Sequence, residues 1–138
     1  MRNLVTITTP FRDQTVLQQH DGFALLALEG TVELEHERNY PVIRVVNERT
    51  EETELYEPLA FENGRWAYTL RLPTGMHRIE TGVELAQAGY HPYYLGHGDM
   101  LRSVFVGEVF AIAGQSNAAG YGKGEVCDPP QYGVSVFD

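Results

Sequence analysis

The sequence predicts a mainly β protein, an antiparallel β-sandwich followed by a short stretch of α/β character. Three observations predict it. Seven or eight short β-prone runs occur, with turn signals at roughly 8–12-residue intervals. No long stretch with the helical period appears before residue 107. From Gly107 onward the composition shifts to glycine and small residues around one run, Val109–Ala113, that is apolar throughout. A strand without alternation is buried on both faces, as in the parallel sheet of an α/β domain. A boundary at 106/107 therefore separates residues 1–106, the sandwich, from residues 107–138. The latter are too few to bury a core alone.

The elements follow in chain order. Leu4-Val-Thr-Ile-Thr8 alternates apolar and hydroxyl residues and stops at Pro10. Thr15-Val-Leu-Gln18 is short and β-prone. Asp21-Gly22 marks a turn, and the apolar run Phe23 to Leu28 is closed by Glu29-Gly30. Thr31-Val-Glu-Leu-Glu-His36 alternates strictly, so Val32 and Leu34 share a dry face and Glu33 and Glu35 a wet one. Val42-Ile-Arg-Val-Val46 is a strand after Pro41. Glu48 to Glu57 is acidic and reads as a solvated loop with a short edge strand at Leu55-Tyr56. Asn63-Gly64 is a strong two-residue hairpin signal. It launches Arg65–Leu72, whose Trp66, Tyr68, Leu70 and Leu72 share one face, with Trp66 expected in the core. Pro73-Thr-Gly75 turns into Met76–Leu85, where Gly82 signals a bulge. Ala86–Gly98 holds turn residues with Tyr90, Tyr93 and Tyr94, then Leu101–Val106 forms the last sandwich strand. The result is an Ig-like arrangement. Gly133–Phe137 reads as a second strand of the α/β unit.

With 138 residues, 43% of them hydrophobic, the chain can bury one ordinary core. No apolar run approaches the ~18–20 residues of a membrane-spanning helix. The net charge of −9 and the lack of basic clusters argue against nucleic acid and against an anionic membrane surface as partners. The first ten residues contain no signal-peptide h-region, which leaves open a cytoplasmic chain or one whose leader has been removed. Cys127 is the single cysteine and reads as an ordinary loop residue. His91, His97 and Asp99 match no metal-ligand spacing and also read as loop residues. Gly120-Tyr-Gly-Lys-Gly124 lacks the ending of a phosphate-binding loop. No metal and no organic cofactor is expected.

The chemistry is carried by Val106-Gly-Glu-Val-Phe-Ala-Ile-Ala-Gly-Gln-Ser-Asn-Ala118. An apolar strand runs into Gly114-Gln115-Ser116-Asn117, a tight small-residue turn that presents one serine. This block resembles the first block of the SGNH-hydrolase superfamily, in its sialate O-acetylesterase-like and carbohydrate acetylesterase branch. Val16-Leu-Gln18 and the Phe61-Glu-Asn-Gly-Arg-Trp66 hairpin resemble, more loosely, the β-sandwich that often precedes that block. The resemblance implies that Ser116 is the nucleophile toward an O-acetyl ester on a sugar. Its backbone N–H would help to hold the oxyanion. Gly114 would permit the turn, and Gln115 and Asn117 would brace it.

The sequence departs from the family pattern: the family's glycine of a second block and asparagine of a third, which complete the oxyanion hole, would lie beyond Asp138. The family's Asp-x-x-His does not occur, and His20, His36, His77, His91 and His97 all precede Ser116. A serine without a base is a poor nucleophile. The expectation is the N-terminal portion of a serine carbohydrate esterase, close to inactive by itself and acting in its full form on an acetylated carbohydrate. The alternative is a non-catalytic sandwich that binds a partner, with Tyr90, Tyr93 and Tyr94 as sugar-stacking candidates. An unpartnered Val109–Ala113 strand would also favour self-association.

Overall fold

Alternation along the strands decides what is buried. The computed structural model describes residues 3–85 and 96–109. Its strands are β1 (Leu4–Val5), β2 (Val16–Gln18), β3 (Phe23–Glu33), β4 (Asn39–Asn47), β5 (Thr53–Pro58), β6 (Phe61–Glu62), β7 (Arg65–Pro73), β8 (Gly75–Leu85) and β9 (Gly96–Gly107). No helix occurs among the described residues. One sheet has the order β1-β3-β7-β6, and the other β2-β9-β8-β4-β5. Along β3, Ala24, Leu26, Leu28 and Val32 point inward while Leu25, Ala27 and Glu29 face out. Along β7, Trp66, Leu70 and Leu72 are buried on the shared face that the spacing predicts. With Ile43, Val45, Ile79, Val83, Leu101 and Val104 from the second sheet they form one apolar core.

The Asn63-Gly64 turn joins β6 to β7 with Glu62 opposite Arg65. Both turn residues have positive φ, 53° and 72°, as a type I′ turn requires. β8 meets β9 with register shifts between His77 and Ile79 and between Glu80 and Gly82, so the irregularity expected near Gly82 is present.

Four expectations need correction. Glu29-Gly30 does not end a strand; β3 runs through it. Gly30 serves close approach instead, because a Cβ there would fall on the carbonyl oxygen of Thr6 and lie 2.7 Å from Trp66 Nε1. The acidic loop is shorter than expected, since β5 begins at Thr53 and pairs with β4. Charged side chains suit the exposed edge of a sheet, which composition alone cannot distinguish from a loop. The sheets are not wholly antiparallel: β2 runs parallel to β9, with Val16 opposite Phe105 and Gln18 opposite Gly107. Finally, His97 and Asp99 belong to β9 and not to a loop.

The parallel pair arises from the path of the N-terminal segment. The chain starts as β1 on one sheet and finishes as β2 on the other. Between them it is tied to β9 by Ile7 N–H to Asp99 Oδ2 at 2.9 Å, Arg102 N–H to Asp13 Oδ1 at 2.8 Å and Gln14 N–H to the Arg102 carbonyl at 2.9 Å. Val5, 0% exposed, packs into the core on the way. One side of the molecule is closed by this crossing. On the opposite side β5 is the last strand of its sheet, and β7 is covered by β6 only at Arg65 and Trp66.

Candidate functional site

The parallel β2–β9 pair ends where the chain leaves the second sheet toward residue 110. Gln18 and Gln19 hold that exit. Gln18 Nε2 donates to Glu108 Oε2 at 2.9 Å, and Gln18 Oε1 accepts from Val109 N–H at 2.9 Å. Gln19 Nε2 donates to Glu108 Oε1, while its Oε1 accepts from Gly22 N–H at 2.8 Å. These amides hold the Glu108 carboxyl below its ordinary range, Gln18 contributing most, then Gln19, with the charge of His20 adding a smaller part. Val109 is 53% exposed.

Ser116, Gly114, Gln115 and Asn117, predicted as nucleophile and turn, lie outside the described residues. So do Phe110–Ala113, Tyr90, Tyr93, Tyr94, His91, Cys127, Gly120–Gly124 and Gly133–Phe137. The described histidines occupy different settings. His20, His36 and His97 are exposed. His77 is 0% exposed and engaged at both ring nitrogens. Nε2 lies 2.7 Å from the Pro73 carbonyl oxygen and Nδ1 lies 2.7 Å from Glu54 Oε1. A carbonyl oxygen can only accept, so the tautomer with its proton on Nε2 satisfies the Pro73 contact. Among the described residues, no group of three or more His, Cys, Asp or Glu side chains is arranged to hold a metal ion.

Glu54 also borders a groove of about 310 Å³ on the open side, between β5 and β7. Val45, Leu55, Tyr68, Leu70 and Leu72 border it; Leu55 and Tyr68 are half-buried there, while Val45, Leu70 and Leu72 are each 1% exposed and belong to the core. Thr69, Arg71 and Pro73 complete the β7 wall. The Arg71 guanidinium lies over the Phe23 ring, 3.8 Å from its centroid. Phe23 belongs to β3, on the other flank of β7, so that charge is directed away from the groove.

A second polar cluster lies where β4, β5 and β8 adjoin. Glu84, 2% exposed, accepts from the Tyr56 hydroxyl. Tyr40 stands directly across from Glu84 in the β4–β8 register. Burial, then the Glu84 charge, then a hydrogen bond to Glu84 together raise the Tyr40 phenol above its ordinary value. Further along, Arg44 and Arg78 both reach Glu80, at 3.6 Å and 2.6 Å, and Arg78 reaches Glu51 at 3.2 Å. The sequence reading passed over His77, Glu54 and Glu84. One signal was available for His77: with Ile79, Thr81 and Val83 it falls on the period-two positions of β8 that face inward.

No family model matches this sequence, and no curated protein does. The resemblance to the SGNH block rests on the residues that carry it.

Proposed function

We propose that the chain is the N-terminal portion of a serine carbohydrate esterase that removes O-acetyl groups from a sugar, with Ser116 as nucleophile. Residues 1–106 form an Ig-like sandwich that supports the catalytic unit, and residues 107–138 open an SGNH-type α/β domain. The single observation that carries this reading is the block Val106–Ala118, where an apolar strand feeds Gly114-Gln115-Ser116-Asn117. The Gln18–Glu108 clamp agrees with it, because a catalytic turn needs a fixed point of departure from its scaffold. Ser116 Oγ would attack the acetyl carbonyl carbon, the alkoxide of the sugar would leave and take up a proton, and water would then release acetate from the acetyl-enzyme. The turn N–H groups would stabilise the oxyanion.

The base is not identified. His77 is unsuited to that role, being enclosed and bonded on both nitrogens. The 138 residues alone should therefore be close to inactive. The test is p-nitrophenyl acetate hydrolysis by this chain beside its Ser116→Ala variant. Equal, background-level rates agree with an incomplete catalytic unit. Turnover by the wild type that Ser116→Ala abolishes would place a base within these residues or in a second copy. Turnover that survives Ser116→Ala would remove Ser116 as nucleophile. The alternative reading is a non-catalytic sandwich that serves as a binding or interaction module, carbohydrate being one candidate ligand; the groove between β5 and β7 gives it a concave surface.

A further inference from the structure

We infer that the groove between β5 and β7 is a binding site for a neutral sugar ring, an inference that rests on reading the chain as a carbohydrate-handling protein. Its volume of about 310 Å³ falls at the small end of ligand sites. Tyr68 and Leu55, the two half-buried apolar side chains along the groove, offer a small apolar face suited to the C–H face of a pyranose.

Polar groups are fixed beside that apolar face. Glu54 Oε1 is pinned by the buried His77, which orders the carboxylate before any ligand arrives. A sugar hydroxyl can donate to it. The β6–β7 hairpin sets which backbone groups face the open side. Glu62 and Arg65 flank a two-residue turn and form its hydrogen-bonded pair. Every second residue of β7 after Arg65, including Thr69 and Arg71, therefore aims its N–H and C=O outward from β3 toward the groove. Hydroxyl groups both donate and accept, so they match such a mixed edge.

Other occupants fit less well. An added β-strand needs a longer run of free backbone. Here β6 covers β7 at Trp66, Pro73 has no N–H and its carbonyl is taken by His77. β5 ends in Pro58 and carries Glu54 and Glu57, which oppose edge pairing. An anion would meet Glu54 on a chain of net charge −9. A cation would compete with His77 for a carboxylate already bonded.

The test is a titration of the full 138-residue chain followed by its amide NMR spectrum. The probes are the methyl glycosides of glucose, galactose, N-acetylglucosamine and N-acetylmannosamine. At least one should shift the amides of Leu55, Thr69, Arg71 and Leu72 saturably. Glu54→Gln and Tyr68→Ala should each weaken that binding by about tenfold, the loss of one charge-assisted hydrogen bond or one stacking face. Tyr68→Phe should retain it, which guards against misreading a misfolded alanine variant. Ser116→Ala should leave binding unchanged whatever happens to ester hydrolysis, so failure here and failure of the esterase reading are distinguishable. The inference is overturned if none of these sugars moves those amides, or if the shifts survive both Glu54→Gln and Tyr68→Ala. A hexapeptide of alternating apolar and polar residues that shifts Thr69 and Arg71 where the sugars do not would also overturn it, in favour of strand docking.

Discussion

His77 is the residue on which the open side of the molecule depends most. Its ring joins the β7–β8 turn, through Pro73, to the edge strand β5, through Glu54, and it does so without contact with water. His77→Ala removes both bonds and leaves a void, so urea unfolding should show a loss of about 3 kcal/mol, within the usual range for buried large-to-small changes. Glu54→Gln keeps an acceptor on a half-exposed side chain and should cost about 1 kcal/mol. Equal losses for the two variants would mean that the ring's worth lies in its contact with Glu54 and not in its burial. Tyr40 gives a pH signature. Its phenol is raised above its ordinary value of 10.0, mainly by burial and then by Glu84. The folded state thus holds the proton to higher pH than the unfolded chain. The associated stability is complete below the unfolded value and is lost as pH rises through the folded one. Urea midpoints measured from pH 8 upward should therefore fall through the alkaline range, with a shallower fall in Tyr40→Phe. An identical slope in the two proteins would assign the alkaline loss to other groups.

At the scale of the elements, the sharpest case is the passage of β3 beneath the N-terminal segment. Gly30→Ala would drive a methyl group into the Thr6 carbonyl, which accepts the Trp66 indole N–H at 2.9 Å. The obstacle is backbone, so it cannot rotate away. A destabilisation of about 3 kcal/mol is expected, with the Trp66 emission shifted in the folded state. A neutral result would show that the N-terminal segment can lift from β3 freely. The exit clamp makes a second prediction at this scale. Gln18→Ala should move the Glu108 carboxyl back up toward its ordinary range in an NMR titration and speed exchange of the Val109 amide. If neither changes, Gln19 alone suffices to hold the exit. These elements also show what the sequence made readable. The β6–β7 hairpin was readable because Asn63-Gly64 encodes its own geometry locally. The inward face of β7 was readable because alternation is local too. The unbroken β3 was not, since Gly30 answers to Thr6 and Trp66, which are distant in sequence. The parallel β2–β9 pair was not, because register between remote strands leaves no local mark. The buried Glu84 looked like any surface glutamate, as only the fold brings Tyr40 and Tyr56 to it. Ser116 is proposed from its motif alone and lies outside the described residues, whereas the groove combines β4, β5 and β7 and has no linear signature.

The whole molecule joins two sheets under strong net charge. The N-terminal crossing fastens both sheets on one side, and Leu59, 3% exposed, packs into the core from the short passage between β5 and β6 on the other. The charge acts against this assembly. The sequence carries 19 acidic and 10 basic residues, for a net −9. Several of the acids, Glu48, Glu51, Glu52, Glu54 and Glu57, fall in and just before β5, the edge strand that walls the groove. Favourable pairs exist, notably Arg44 and Arg78 with Glu80. At low ionic strength repulsion extends over about 30 Å, comparable to the whole domain; near 0.15 M it is cut to about 8 Å. Repulsion should then lose more than the short-range pairs do. The expected outcome is a urea midpoint that rises with sodium chloride, by the equivalent of up to about 1 kcal/mol. A midpoint that falls with salt would mean that the Arg44–Glu80–Arg78 group outweighs the global repulsion. In that case Glu80→Gln should abolish most of the salt dependence, which separates a local cause from a global one.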